Sequence, residues 1–136
     1  MHIEPYLDFN GRCEEALEFY KRVLGAEVTA LMRFSDSPHP HPPGMVPPGA
    51  ENKVMHTEFR VGGSKLLASD GRCLGKPNFQ GVSLSLTAAT PGEAERVFAA
   101  LGDGGQAQMP LTETFFAKRF GMVADRFGVS WMIVAR

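Results

Sequence analysis

The chain has 136 residues, enough for one domain with a real core, or for two half-domains that pack together to bury their apolar faces. Its 14 Lys and Arg stand against 15 Asp and Glu, a net charge of −1, and the basic residues are scattered, which argues against nucleic acid as a partner. No stretch approaches the roughly 20 apolar residues of a membrane span, and MHIEPYLDF has neither the basic start nor the apolar run of a signal peptide. A cytoplasmic protein without membrane contact is expected. Cys13 and Cys73 show no CxxC or Cys/His spacing, so both are read as free thiols, Cys13 packed in a helix.

The first half reads β-α-β-β-β. Asn10-Gly11 interrupts the β-like run IEPYLDF, and apolar residues then recur at Cys13, Ala16, Leu17, Tyr20, Val23 and Leu24, one face of a helix. Asn10 is the expected cap. Glu14 and Glu15 lie near the positive end of this helix, Lys21 and Arg22 near its negative end, and Gly25 suits a left-handed stop. AEVTALMRF follows as a strand, then a Pro-rich segment from Ser35 to Asn52, then a hairpin of KVMHTEFRV and SKLLAS joined by Gly62-Gly63.

The second half repeats the order. VSLSL is a strand, and Thr90-Pro91-Gly92-Glu93 is a helix start with Thr at the cap and Pro at the first helical position. Ala94, Val97, Phe98 and Leu101 form the apolar face, and GGQAQMP, FGMVA and VSWMIVA supply three further strands. The two halves are expected as modules 1–75 and 76–136 of a single domain.

Three segments, YLDFNGRCEEALEFYKRVLGAEV, KVMHTEFRVGGSKLLASD and FFAKRFGMVADRFGVSWMIV, resemble the PhnB-like branch of the vicinal-oxygen-chelate superfamily, which holds glyoxalases and bleomycin-resistance proteins. The last is the most specific, because it sets a strand, a D-x-F-G turn and a closing strand with Trp131 in the order of that branch. The resemblance implies an α+β fold in which two βαβββ modules form curved mixed sheets around a cavity, helices outside, in a homodimer. It does not select a chemistry, since one fold hosts lyases, dioxygenases and plain binding proteins. The branch also carries the name of a demethylubiquinone methyltransferase, yet no glycine-rich strand-turn-helix motif offers a site for a nucleotide-type methyl donor. No cofactor is expected.

In glyoxalase-like relatives, four metal ligands come from the first, fourth, fifth and eighth strands. By residue counting these positions fall on Pro5, near Leu67, near Gly81 and on Met132, and neither Pro5 nor Met132 can serve a hard divalent ion. The standard metal site is therefore expected to be lost. His39 and His41 lie in SPHPHPPGMVPPG, read as a solvated mobile loop, or alternatively as a lid over the cavity mouth.

The strand KVMHTEFRV is more informative. Alternation puts Met55, Thr57, Phe59 and Val61 on one face and Val54, His56, Glu58 and Arg60 on the other. If the polar face lines the cavity, His56 and Glu58 are the candidate catalytic pair, about 7 Å apart at same-face spacing. The alternative is structural: cross-strand hydrogen bonds, with Arg60 neutralising Glu58. Phe116, Met132 and Arg60 are the candidate ligand-binding residues. The leading expectation is a metal-independent protein that binds a small molecule; the second is an isomerase or lyase that takes a proton next to a carbonyl, with His56 or Glu58 as base.

Overall fold

Two residues turn the chain out of its first strand: Asn10 and Gly11 both take positive φ, 47° and 104°. The computed structural model describes residues 1–42, 44, 46–73 and 75–136, and the contacts divide them into two compact units, Met1–Pro77 and Asn78–Arg136.

The first unit runs β1 (Tyr6–Asp8), α1 (Cys13–Leu24), β2 (Glu27–Arg33), β3 (Val54–Val61) and β4 (Ser64–Ser69). Its sheet has the order β1-β4-β3-β2, with β1 parallel to β4 and the other neighbours antiparallel. The second unit repeats this with β5 (Ser83–Thr87), α2 (Pro91–Leu101), β6 (Gln106–Thr112), β7 (Arg119–Ala124) and β8 (Ser130–Ala135), in the order β5-β8-β7-β6. The expected pair of βαβββ modules is present, as two open four-stranded mixed sheets with one helix each, an α+β fold. No helix among the described residues is long and apolar enough to cross a membrane.

The predicted stripe of α1 is buried from Cys13 to Val23, with Phe19 added to it and Leu24 only half-buried. Tyr20 stacks on Phe59 of β3 at 6.2 Å and 13°, so α1 covers the face of the first sheet that holds Phe59, Thr57 and, by register, Leu66, Ala68 and Leu7. Each large apolar side chain buried there contributes about 1.5–3 kcal/mol. Thr57, fully buried, is satisfied by donating its hydroxyl to the Ala30 carbonyl at 2.7 Å. Gly25 ends the helix at φ 67°, and the N–H groups of Gly25 and Ala26 close on the carbonyls of Lys21 and Tyr20.

The cap of α1 differs from expectation. Asn10 does not cap it; its side chain reaches the Lys76 carbonyl at 3.5 Å instead. The donors at the helix start go to Asp70, just past β4, whose Oδ1 accepts from the N–H groups of Gly11 and Cys13 at 2.9 and 2.7 Å. Its Oδ2 accepts from Val54 N–H at 2.7 Å, so one buried carboxylate ties α1, β3 and β4 together. In α2 the expected cap is present, Thr90 Oγ1 accepting from Glu93 N–H at 3.1 Å.

In the second unit α2 packs on the face of β7 and β8 that holds Val123, Trp131 and Ile133, all buried. Gly121 lets the helix approach: a Cβ there would lie 2.9 Å from both the Phe98 ring and Leu111 Cα. The D-x-F-G turn is held by buried Asp125, which accepts from the N–H groups of Phe127 and Val129 and from Trp131 Nε1 at 2.9 Å.

Within the segment 35–52, His41 is tied to the fold. A 3₁₀ turn, Phe34–Asp36, opens onto it, and half-buried His41 bonds the Phe34 carbonyl through Nε2 at 2.9 Å and meets the Phe34 ring edge-on at 5.6 Å. His39 is exposed. Pro43 and Met45 of this segment lie outside the described residues.

Candidate functional site

The first sheet has a second face, turned away from α1. Paired residues point to the same side of a sheet, so the registers place Tyr6, Leu67, Glu58 and Ala30 in one row across it. Asp8 pairs with Ser69 and His56 with Met32 on the same face, and Lys65 and Arg60 face each other in a further row. His56, Glu58 and Arg60 thus share a face, as alternation in β3 requires.

Glu58 is fully engaged. Its Oε1 pairs with Lys65 Nζ at 3.0 Å, and its Oε2 accepts from the Thr29 hydroxyl at 2.9 Å. Thr29 reaches it because β2 carries a bulge between Val28 and Ala30, which makes Thr29 an extra residue between two paired ones. The hydrogen bond from Lys65, then that from Thr29, holds the Glu58 carboxyl below its ordinary range, and the Glu58 partner raises the Lys65 ammonium. Lys65 also lies 3.8 Å from Glu4. The neutraliser of Glu58 is therefore Lys65, diagonal to it on β4, and not Arg60, whose field is the last of the lowering influences. Arg60 itself is exposed.

His56 has a partner fifty positions away in the chain. Tyr6 Oη lies 3.2 Å from His56 Nδ1, and the two rings lean together at 5.7 Å and 33°. A signal for it exists in PYLDF, where apolar Leu7 and Phe9 on one face put Tyr6 and Asp8 on the other.

Met132 and Phe116 belong to the second unit. Ile133 pairs with Gly121 on the α2 side, so Met132, paired with Met122 and Ser85, points to the opposite face. Phe120 shares that face with Met122, and half-exposed Phe116 rests on it edge-on at 5.2 Å. Ser83, Ser130 and Gln108 form a hydrogen-bonded chain at its edge, each contact 3.0 Å. Trp131 and Phe127 are core, whereas Phe115 is wholly exposed. Arg119 pairs with Glu95 at 3.1 Å.

Register places the positions counted toward a metal site. Pro5 and Gly81 lie outside the strands; β1 presents Tyr6 and Asp8 to the open face, and β5 presents Ser83, Ser85 and Thr87. Leu67 and Met132 do occupy strand positions on the open faces.

Comparison with known proteins adds the family. A family model described as 3-demethylubiquinone-9 3-methyltransferase matches residues 1–134. The chain belongs to this PhnB-like family. Protein YjdN of Escherichia coli K12 is 36% identical over 140 residues, covering 98% of this chain and 94% of YjdN. Protein PA1353 of Pseudomonas aeruginosa is 42% identical with a TM-score of 0.85, over 100% of this chain and 98% of that one. A Bacillus cereus PhnB protein, titled a putative 3-demethylubiquinone-9 3-methyltransferase, is 30% identical with a TM-score of 0.81 over the whole of both chains. At the level of fold alone, the PhnB-like chain matches the fosfomycin resistance protein FosX of Mesorhizobium loti, 10% identical at a TM-score of 0.64 over 98% of this chain and 90% of FosX. The glyoxalase-type fold is thereby shared.

Proposed function

We propose that the chain binds a small molecule on the open face of the first sheet, through hydrogen-bond donors and without the metal ion of glyoxalase-type enzymes. The observation that carries this reading is Glu58, both of whose oxygens already accept bonds, from Lys65 and Thr29. A carboxylate stabilised in its charged form is a weak base near neutral pH. To take a proton next to a carbonyl it would have to give up those bonds, so the isomerase or lyase reading gains no support from it. His56 and Arg60 are then the groups that meet the ligand.

The donor set supports the metal-free part of the proposal. Of the positions that the family resemblance assigns to metal ligands, Leu67 lies on the open face of the first sheet and Met132 on that of the second, and neither carries an oxygen or nitrogen donor. Neither side chain can serve a hard divalent ion. Among the described residues no three His, Cys, Asp or Glu are grouped to hold one.

Nor do the residues fit a nucleotide-type methyl donor seated at a helix start. Of the first-turn N–H groups, that of Cys13 already bonds Asp70 in α1 and that of Glu93 already bonds Thr90 in α2. In the second unit, Met132 and Phe116 support an apolar contact surface of its own. The unpaired edges of both open sheets support a homodimer, which light scattering would register as about twice the 14.8 kDa chain mass. Two free thiols fit a reducing, cytoplasmic compartment.

The test is a thermal-shift screen of carbonyl- and carboxylate-bearing metabolites against wild type, His56→Ala and Arg60→Met. A ligand at about 100 times its Kd stabilises the fold by roughly 2.7 kcal/mol. The expected hits stabilise wild type and lose at least half of their effect in His56→Ala. Hits that stabilise all three proteins equally would reject this face as the site.

A further inference from the structure

Tyr6 and His56 stand on β1 and β3 with β4 between them, so their contact spans the middle strand, where Leu67 is the partner of Tyr6. Tyr6 is 52% exposed, and burial therefore does not force its ring toward His56. The contact is made by the hydroxyl to one particular ring nitrogen, Nδ1, and by the two rings leaning together.

The direction of that hydrogen bond decides what His56 can do. A neutral imidazole has one N–H and one bare nitrogen, and which is which follows from the partner of the other atom. The phenol is a good O–H donor and a weak acceptor, because its lone pairs are drawn into the ring. The bare imidazole nitrogen is among the strongest neutral acceptors of a protein. The favourable pairing is thus Tyr6 O–H to bare Nδ1, which leaves the proton of the ring on Nε2.

We infer that Tyr6 is a positioning residue: its hydroxyl holds neutral His56 in the Nε2–H form and presents Nε2–H as a donor to an acceptor oxygen of the bound molecule. The ligand part of this statement rests on the proposed binding face; the tautomer is a property of the protein alone. The consequence reverses the role expected from sequence. The lone pair of His56 is covered by Tyr6, both oxygens of Glu58 are covered by Lys65 and Thr29, and the face offers donors where a base was looked for. It selects a molecule with a carbonyl or carboxylate oxygen.

The experiment is a long-range ¹H–¹⁵N correlation spectrum of the side-chain imidazoles in uniformly labelled protein, at a pH where His56 is neutral. His56 is assigned by the signal lost in His56→Gln. Wild type is expected to show the Nε2–H pattern, with the Nδ1 resonance displaced by its accepted hydrogen bond. In Tyr6→Phe, which keeps the ring, the Nδ1 resonance is expected to move by several ppm to the value of a nitrogen without that bond. Lys65→Met, next to the pair but outside it, is expected to leave the pattern unchanged.

An Nδ1–H pattern in wild type, an Nδ1 resonance that ignores Tyr6→Phe, or an equal change in Lys65→Met would each overturn the inference. Failure of the binding face is read separately. If the tautomer behaves as stated but screened ligands bind His56→Ala as tightly as wild type, the donor role falls with that face.

Discussion

Asp70 offers the sharpest test of how the first unit is held. Its carboxylate is fully buried and accepts three backbone bonds, from Gly11 at 2.9 Å, Cys13 at 2.7 Å and Val54 at 2.7 Å. Asp70→Ala removes both acceptor oxygens, and with them all three bonds, and leaves the N–H groups of Gly11, Cys13 and Val54 facing a side chain that cannot answer. A bond to a charged group is worth about 1.5–3 kcal/mol. Water can reach the half-buried Gly11 and recover part of its bond, so the expected loss is about 4 kcal/mol. Asp70→Asn keeps one acceptor oxygen but turns an amide N–H₂ toward another donor, for an expected loss of about 2 kcal/mol. Against the ~5–15 kcal/mol that holds a small domain folded, the alanine variant is severely weakened. The assay is urea unfolding followed by circular dichroism, with the slope checked for constancy so that the midpoint reports stability. Asn10→Gly is the control: it removes the side chain that the sequence suggests as a cap and is expected to stay within about 0.5 kcal/mol of wild type. A loss below about 1 kcal/mol in Asp70→Ala, or an equal loss in Asn10→Gly, would refute the remote-cap argument.

Three further outcomes are expected. Glu58 has a folded pKa below its unfolded value, so its pairing stabilises the protein above the unfolded carboxylate range near pH 4.3 and the benefit disappears as pH falls through the folded pKa. An NMR titration should therefore find Glu58 protonating later than a free glutamate on acidification, and Lys65→Met should raise its pKa; no difference between the two proteins would contradict the pairing. Cys13 is fully buried and burial pushes its thiol well up, so the native protein should leave it unlabelled by a thiol reagent at neutral pH and expose it only on unfolding. Because that folded pKa is raised, the stability it contributes is complete below about pH 8.5 and declines above it, which alkaline unfolding curves of wild type and Cys13→Ala can read. Gly121→Ala forces a methyl against the Phe98 ring and the Leu111 backbone, and should cost about 1–3 kcal/mol by thermal unfolding, a neutral effect being evidence against the close approach of α2.

What could be read from the sequence was local. The stripe from Cys13 to Val23, the Thr90-Pro91 helix start and the Gly62-Gly63 hairpin each depend on residues within a turn or two of one another, and each is present. Alternation within β3 likewise sorted Thr57 and Phe59 to the helix side and His56, Glu58 and Arg60 to the other, because a strand's side chains alternate whatever it pairs with. The partners of those residues had no such local rule. Asp70 reaches Cys13 across 57 positions, Tyr6 meets His56 across 50, and Glu58 finds Thr29 across 29.

Those meetings follow from sheet order and register. A parallel β1-β4 pair brings Tyr6 near β3, and a bulge in β2 turns Thr29 toward Glu58. The same reason explains why Arg60, the nearest basic residue to Glu58 in β3, is not its ion-pair partner. Two residues apart on one strand they share a face, but Lys65, one strand over and diagonal to Glu58, has the length and direction to put its ammonium on the carboxylate. Sequence alone determined which residues could share a face; only tertiary pairing decided which of their atoms were already occupied, because a hydrogen-bond partner on another strand is set by register and not by the residues next in the chain.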